Sequence, residues 1–180
     1  AWGKDSIDKY QYDGIDIDFE TAADHLGPLN TTPGLFKKFC EELSQYIGPK
    51  SGTGRLFLID GNIDALDQGI AELCNYGVSQ AYGCSSATMG YTSLTSRTAS
   101  AERVGWKADQ LIFTENFESY WKSGGRPHTT LSGEQMMSLQ GMADFAVNGT
   151  SCGFGAYHME YEYGHSDMPY KYMRLSLIHI

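Results

Sequence analysis

The chain has 180 residues, a formal net charge of −9 and a pI near 4.9. This length suffices for one domain with a core, and no apolar run is long enough to cross a membrane. The Lys and Arg clusters that hold nucleic acids or anionic membranes are missing, so the composition argues against both partners and favours a neutral ligand. The cysteines are widely spaced, so we expect buried thiols and no metal site. They are Cys40, Cys74, Cys84 and Cys152.

The stretch YDGIDIDFE (12–20) predicts a β-strand with two unlike faces. Side chains alternate across a strand, so the apolar members point one way and the acidic members the other. The apolar members are Ile15, Ile17 and Phe19, and the acidic members are Asp16, Asp18 and Glu20. A solvated strand face explains such alternation without any function. Because neighbouring carboxylates repel and push their pKa values apart, we favour an acid–base site.

The rest of the chain predicts strands and helices in turn. We expect strands at 55–60, 78–83, 110–116 and 152–160, and helices at 35–47, 63–76, 96–107 and 132–146, the last capped by Ser132 with Gln135. Five strands about thirty residues apart indicate parallel βαβ units of an α/β fold. A closed barrel suits the acidic strand better than a doubly wound sheet, which would bury its carboxylates against apolar groups.

The motif D-G-x-D-x-D-x-E, formed by Asp13, Gly14, Asp16, Asp18 and Glu20, resembles the signature of glycoside hydrolase family 18. The resemblance implies a (β/α)8 TIM barrel whose fourth strand carries the motif. It therefore assigns strands 4 to 8 to this chain, with 1–180 as a single, incomplete catalytic domain that lacks the first three βα units. We expect residues 175–180 to be a non-native tail. Gly14 is expected to give backbone clearance, and Asp13 to be structural.

Family 18 contains chitinases, endo-β-N-acetylglucosaminidases that cut the chitobiose core of N-glycans, and non-catalytic sugar-binding relatives. Glu20 argues against the last class, which commonly loses the acid. Gln80 and Tyr82 resemble the Q-x-Y of the endoglycosidases, whereas chitinases usually carry M-x-Y at this strand. The resemblance thus favours an endo-β-N-acetylglucosaminidase, with a chitinase and a sugar-binding barrel as the alternatives.

The resemblance also implies a role for each residue of the motif. Glu20 is the general acid that protonates the leaving oxygen. The substrate's own 2-acetamido group is the nucleophile, so the reaction is retaining and needs no second enzyme nucleophile. Asp18 holds the acetamido N–H and stabilises the oxazoline, and Asp16 shares a proton with Asp18. Tyr82 donates to the acetamido oxygen and Gln80 orients it. No cofactor and no metal are implied.

Other strand ends supply candidates for the sugar cleft, with helix caps and loop hydrogen bonds as the alternative. They are Asp60, Asn62, Glu115, Asn116 and Tyr157, with His158 and Glu160 beside the last. Aromatic side chains of the later loops either stack on sugars or pack at the barrel rim. They are Trp106, Phe117, Tyr120 and Trp121.

The expected partner is an oligosaccharide or a glycoprotein substrate, and the family implies a secreted or cell-surface bacterial protein, although the chain shows no signal peptide. A barrel that lacks three strands exposes unpaired sheet edges, so we expect these 180 residues alone to self-associate and to be inactive, whereas we expect the longer parent chain to be active.

Overall fold

The chain forms two compact units, one of residues 1–78 and 101–110 and the other of residues 79–100 and 111–180. The structure, a computed structural model, describes residues 2–21, 26–82, 90–165 and 167–177. Its strands are β1 (Gly14–Phe19), β2 (Leu56–Gly61), β3 (Tyr76–Gln80), β4 (Leu111–Asn116), β5 (Pro127–Thr129), β6 (Gln135–Met137) and β7 (Gly153–Tyr157). Its helices are α1 (Trp2–Tyr10), α2 (Pro28–Thr31), α3 (Leu35–Leu43), α4 (Gly90–Arg103), α5 (Phe117–Tyr120), α6 (Ser138–Val147) and α7 (Lys171–Leu177).

In the first unit the strand order is β1-β2-β3, and β1 pairs with β2 in parallel. A Cβ on Gly14 would overlap the carbonyl oxygen of Leu56, so the expectation that this glycine gives backbone clearance is confirmed. The apolar face of β1 packs on helix α3, where the rings of Phe19 and Phe36 lie 4.6 Å apart between centroids. The two faces of the acidic strand are therefore unlike, as its alternation predicts.

The prediction of a helix at 63–76 is wrong. Two short 3-10 turns, Ile63–Ala65 and Ala71–Leu73, stand there instead, and the left-handed Gly69 between them (φ 91°) interrupts the helical path. The apolar stripe is still buried, and the indole N–H of Trp106 donates to the carbonyl of Ile63 at 3.0 Å. Apolar periodicity alone does not distinguish a helix from a buried irregular segment.

In the second unit the strand order is β3-β4-β7, with β4 and β7 paired in parallel from Ile112 with Gly153 to Asn116 with Tyr157. Helix α6 covers β4 and contributes Met142 and Phe145 to a buried cluster. The other buried members of that cluster are Ala81, Leu94 and Phe113. The core of this unit thus lies between the sheet and the helices α4 and α6.

The helix predicted from Ser132 begins six residues later, at Ser138. Residues 127–137 form an antiparallel β5–β6 ribbon instead, closed by a turn with Gly133 at φ 86°. Gln135, which the sequence assigns to a capping box, uses its side-chain amide to donate to Thr129 Oγ1 at 2.8 Å. A cross-strand contact therefore takes the place of the predicted cap. Helix α4, by contrast, begins six residues before the predicted position, at Gly90.

Cys40 and Cys74 are buried thiols, as expected, but Cys152 is exposed, so that expectation is wrong for Cys152. Burial raises the pKa of Cys40 to about 12, with the nearby Glu41 carboxylate adding to it, and burial also raises the pKa of Cys74. Cys152 directly precedes β7, outside the part of the strand that pairs with β4. Cys84 and its loop, and residues 178–180 of the predicted tail, lie outside the described residues.

Candidate active site

The carboxylates of the first unit share one face of the sheet. Asp16 and Asp18 are exposed on β1, on the face opposite the buried Phe19, and Glu20 follows the strand end directly. On β2, Asp60 lies beside Asp18 in the parallel register, so it adds a fourth carboxylate to this face. A Cβ on the neighbouring Gly61 would come within 3.3 Å of Asp18 Oδ1, so the glycine leaves room for that side chain.

The pKa of Asp16 is raised above the ordinary value of an aspartate. The surrounding protein atoms, which displace part of the water around this carboxyl although its side chain reaches the surface, are the largest cause. A hydrogen bond from the backbone N–H of Ile17 lowers the pKa, and the negative charge of Asp18 raises it. Asp16 therefore holds a proton more readily than an isolated aspartate does, which is the property that a proton-sharing pair requires.

Backbone contacts fix the position of the strand end that carries Glu20. The carbonyl oxygen of Glu20 accepts a hydrogen bond from Asn30 Nδ2 at 2.5 Å. Asn62 Oδ1 accepts from both the backbone N–H and the hydroxyl of Thr21, at 2.9 and 3.1 Å. The N–H of Asn62 in turn donates to the carbonyl of Phe19 at 2.8 Å. Asn62, predicted to bind substrate, thus uses its side-chain oxygen to hold the segment next to Glu20.

Four predicted site residues of the second unit lie on the face of the sheet turned away from its core. Gln80 and Tyr82 alternate with the buried Ser79 and Ala81, and Asn116 ends β4 directly beside Tyr157 on β7. The rings of Tyr82 and Tyr157 lie 6.1 Å apart between centroids. Asn116 Oδ1 is buried and accepts no hydrogen bond from any described residue. Ends of neighbouring strands thus bring an amide oxygen and two phenol rings together.

Glu115 lies on the opposite face. Alternation along β4 buries Glu115 with Leu111 and Phe113, so its side chain has no exposed surface that a sugar could contact. Its carboxylate accepts hydrogen bonds from the backbone N–H of Asn116, at 2.7 Å, and from the hydroxyl of Ser138. Our expectation that Glu115 lines the cleft is therefore not supported by its position. Such a buried carboxylate holds Asn116 and the start of α6 in place.

The aromatic candidates divide by burial. Trp106 and Phe117 are buried, and Trp106 packs on Gly77, so both belong to the core. Tyr120 and Trp121 keep exposed surface, and the guanidinium of Arg126 lies 4.4 Å from the ring centroid of Tyr120. The sequence reasoning overlooked Tyr161 and the buried Glu162 that follows it. The aromatic-rich run YHMEYEY (157–163) was the available signal.

No group of three or more His, Cys, Asp or Glu side chains with a metal-binding arrangement occurs in the part of the chain that the structure describes. Within the same residues, no helix is long and apolar enough to span a membrane.

Comparison with known proteins places this arrangement in a family. The sequence model of one protein family, described as glycoside hydrolase family 18, BT1044-like, matches residues 3–180 of this chain. The chain belongs to glycoside hydrolase family 18. The resemblance of the acidic motif to this family's signature is thereby confirmed.

Family 18 relatives with endoglycosidase names are among the similar proteins. Endo-beta-N-acetylglucosaminidase F2 from Elizabethkingia meningoseptica is 39% identical over 95 residues, which cover 49% of this chain and 27% of the relative. The solved structure described as BT1044SeMet E190Q is 29% identical, with a TM-score of 0.78 over 96% of this chain and 55% of its own. The apo endo-beta-N-acetylglucosaminidase from Cordyceps militaris is 21% identical, with a TM-score of 0.65 over 96% of this chain and 57% of its own.

The chain therefore spans about half the length of the two solved structures and about a quarter of Endo F2. The predicted α/β fold class, with this chain as part of a family 18 TIM barrel, is confirmed.

Proposed function

We propose that this family 18 protein cleaves the β-1,4 bond between the two GlcNAc residues in the chitobiose core of N-glycans. The observation that carries the proposal is the row of carboxylates on β1 and β2, which ends at Glu20 on the carboxyl edge of the sheet. Active sites of (β/α)8 enzymes lie at this edge. The endoglycosidase relatives and the Q-x-Y pair Gln80 and Tyr82 favour this substrate over chitin.

In the proposed reaction Glu20 donates its proton to the glycosidic oxygen, while the 2-acetamido oxygen of the sugar attacks the anomeric carbon. Asp18 binds the acetamido N–H and stabilises the positive charge of the oxazoline. The raised pKa of Asp16 supports a shared proton between Asp16 and Asp18. Glu20 then removes a proton from the water that opens the oxazoline, which restores the configuration at the anomeric carbon.

The other predicted residues have supporting roles in this proposal. Tyr82 donates to the acetamido oxygen and Gln80 orients it. Asp60, beside Asp18, and Asn116, beside Tyr157, contact sugar hydroxyls at the strand ends. Asn62 supports the backbone next to Glu20. An N-glycoprotein substrate also suggests a secreted or cell-surface location.

The test incubates the full-length protein with an N-glycoprotein and, separately, with a chito-oligosaccharide, and measures the masses of the products. We expect a released glycan ending in one GlcNAc and a protein that retains the other. Glu20→Gln should abolish this release while sugar binding persists, because the amide cannot donate the proton. Glu41→Gln, an exposed carboxylate on α3, serves as the matched control and should leave the rate unchanged.

Retained release by Glu20→Gln would remove Glu20 from the role of the acid. Cleavage of the chito-oligosaccharide alone would identify a chitinase instead. Binding of the glycan without any cleavage by the parent protein would identify the third alternative, a non-catalytic sugar-binding barrel.

A further inference from the structure

The segment after β7 carries a row of exposed aromatic rings. The ring centroid of His158 lies 4.1 Å from that of Tyr157 and 5.4 Å from that of Tyr161, with both pairs packed edge to face. Tyr157 is 46% exposed and Tyr161 is 43% exposed. We call Tyr157, His158 and Tyr161 the aromatic platform. It begins at the carboxyl end of β7, the edge at which ligands of parallel α/β folds bind.

The backbone of the aromatic platform is held in an uncommon conformation. His158 adopts left-handed dihedrals, φ 56° and ψ 44°, which cost free energy in a residue other than glycine and occur often at ligand sites. Its Nδ1 lies 2.5 Å from Glu160 Oε1, and its carbonyl accepts from the N–H of Tyr161 at 3.1 Å. These contacts fix the imidazole between the two phenol rings, so the row is preorganised.

The buried carboxylate of Glu162 connects the same segment to helix α7. Glu162 is enclosed, and its side chain accepts hydrogen bonds from the backbone N–H groups of Tyr172 and Met173 in the first turn of α7. Its carbonyl accepts from the N–H of Tyr170 at 3.1 Å. Residues Met159–Gly164 form a 3-10 helix, in which neighbouring side chains point in different directions. The contact that buries Glu162 therefore leaves Tyr161 at the surface. Packing within the unit therefore keeps the aromatic platform open to solvent.

We propose that the aromatic platform binds a neutral hexose of the glycan outside the chitobiose that is cleaved. Planar rings stack on the apolar C–H face of a sugar, and the exposed Glu160 carboxylate at the edge of the row can accept sugar hydroxyls. A negatively charged sugar is disfavoured, because Glu160 and the net charge of −9 repel it. This inference rests on the proposed function and adds the recognition of a neutral glycan arm to it.

The experiment measures binding by calorimetry to the Glu20→Gln protein, which avoids turnover. The probes are a biantennary N-glycopeptide ending in galactose, the same glycopeptide ending in sialic acid, and chitobiosyl-asparagine. Tyr161→Ala should weaken binding of the galactose-ended glycopeptide by about 5- to 30-fold and leave chitobiosyl-asparagine unchanged. Tyr161→Phe keeps the ring and should keep the affinity. Tyr46→Ala, at a tyrosine of the first unit with 37% exposure, is the matched control and should change nothing.

Equal affinity of Tyr161→Ala and its parent for the galactose-ended glycopeptide would overturn the inference. So would tighter binding of the sialylated probe than of the neutral one. If chitobiosyl-asparagine fails to bind and the parent protein cleaves no glycan, the proposed function fails. The free galactose-ended arm then tests the aromatic platform separately: binding that Tyr161→Ala weakens supports the platform, and no binding overturns it.

Discussion

Replacing Gly141 by alanine is expected to destabilise the second unit, although the same change inside an exposed helix usually stabilises by about 1 kcal/mol. Gly141 lies in α6, where an added Cβ would be 2.5 Å from Nε2 and 2.6 Å from Cγ of His128. The imidazole is only 1% exposed. On the side of α4 the space around the ring is also small, because a Cβ on Gly90 would lie 2.8 Å from its Cγ. The ring therefore has little space into which it can move.

The two effects can be compared in magnitude. The imidazole must shift by about 1 Å to restore ordinary contact distances, and overpacking of this kind costs about 1–3 kcal/mol. Because α4 and α6 both lie close to the His128 ring, we expect the cost of overpacking to fall in the upper part of that range. After about 1 kcal/mol of helix propensity is subtracted, Gly141→Ala should lower the free energy of unfolding by about 1–2 kcal/mol.

The assay is a double-mutant cycle in urea at about pH 7.5 with the parent, Gly141→Ala, His128→Ala and the double variant. With His128 truncated, the added methyl group meets no ring, so Gly141→Ala should then raise the free energy of unfolding by up to about 1 kcal/mol. The expected coupling is about 2–3 kcal/mol, the cost of the overpacking itself. Stabilisation by Gly141→Ala in the parent, or a coupling near zero, would refute the reasoning.

Three further predictions concern buried groups. Burial lowers the pKa of His128 against the opposing effect of Asp144, so the folded chain binds fewer protons than the unfolded chain just below about pH 6.5. The free energy of unfolding should therefore fall between about pH 7 and pH 5, and urea titrations of His128→Ala should show a smaller fall; an equal fall contradicts this. Glu162→Ala leaves two backbone N–H groups at the start of α7 without their acceptor and should lower the free energy of unfolding by about 2–4 kcal/mol. Glu162→Gln keeps one acceptor oxygen and should lower it less. Equal losses for the two variants in urea titrations would argue against the role of the carboxylate. Iodoacetamide with peptide mass analysis should label the exposed Cys152 in the native protein and the buried Cys40 only after unfolding; rapid native labelling of Cys40 would contradict its raised pKa.

The strands were predictable because a parallel sheet leaves a strong pattern in the sequence. Its strands are short apolar runs bounded by turns, and the predicted strands 55–60 and 110–116 coincide with β2 and β4 within one residue. On β1 the alternation also assigns each side chain to a face, so the acidic face follows from the sequence alone. Local sequence was sufficient to place β2 and β4, whereas β3 begins two residues before the predicted strand 78–83 and β7 ends three residues before the end of the predicted strand 152–160.

The helix boundaries were less predictable because contacts distant in the sequence determine them. Trp106 packs against Ile63 and Gly77, which lie 43 and 29 positions earlier, and this contact buries the 63–76 segment without a helix. Gln135 fits a capping box after Ser132, but its pairing with Thr129 in the β5–β6 ribbon prevails. Local propensity is a weak prior when tertiary contacts oppose it.

Asp18 and Glu115 show how strand parity separates two kinds of carboxylate. Both stand one residue before the end of a strand, so their position along the sheet is the same. Asp18 lies on the face opposite the buried Phe19 and is exposed, whereas Glu115 shares its face with Leu111 and Phe113 and is enclosed. The exposed carboxylate is available to a substrate, and the enclosed one is used by a backbone N–H and the hydroxyl of Ser138. Because side chains two positions apart share a face, the pattern L-x-F-x-E at 111–115 is by itself enough to assign Glu115 to the apolar face of β4 and to separate it from the exposed carboxylates of β1.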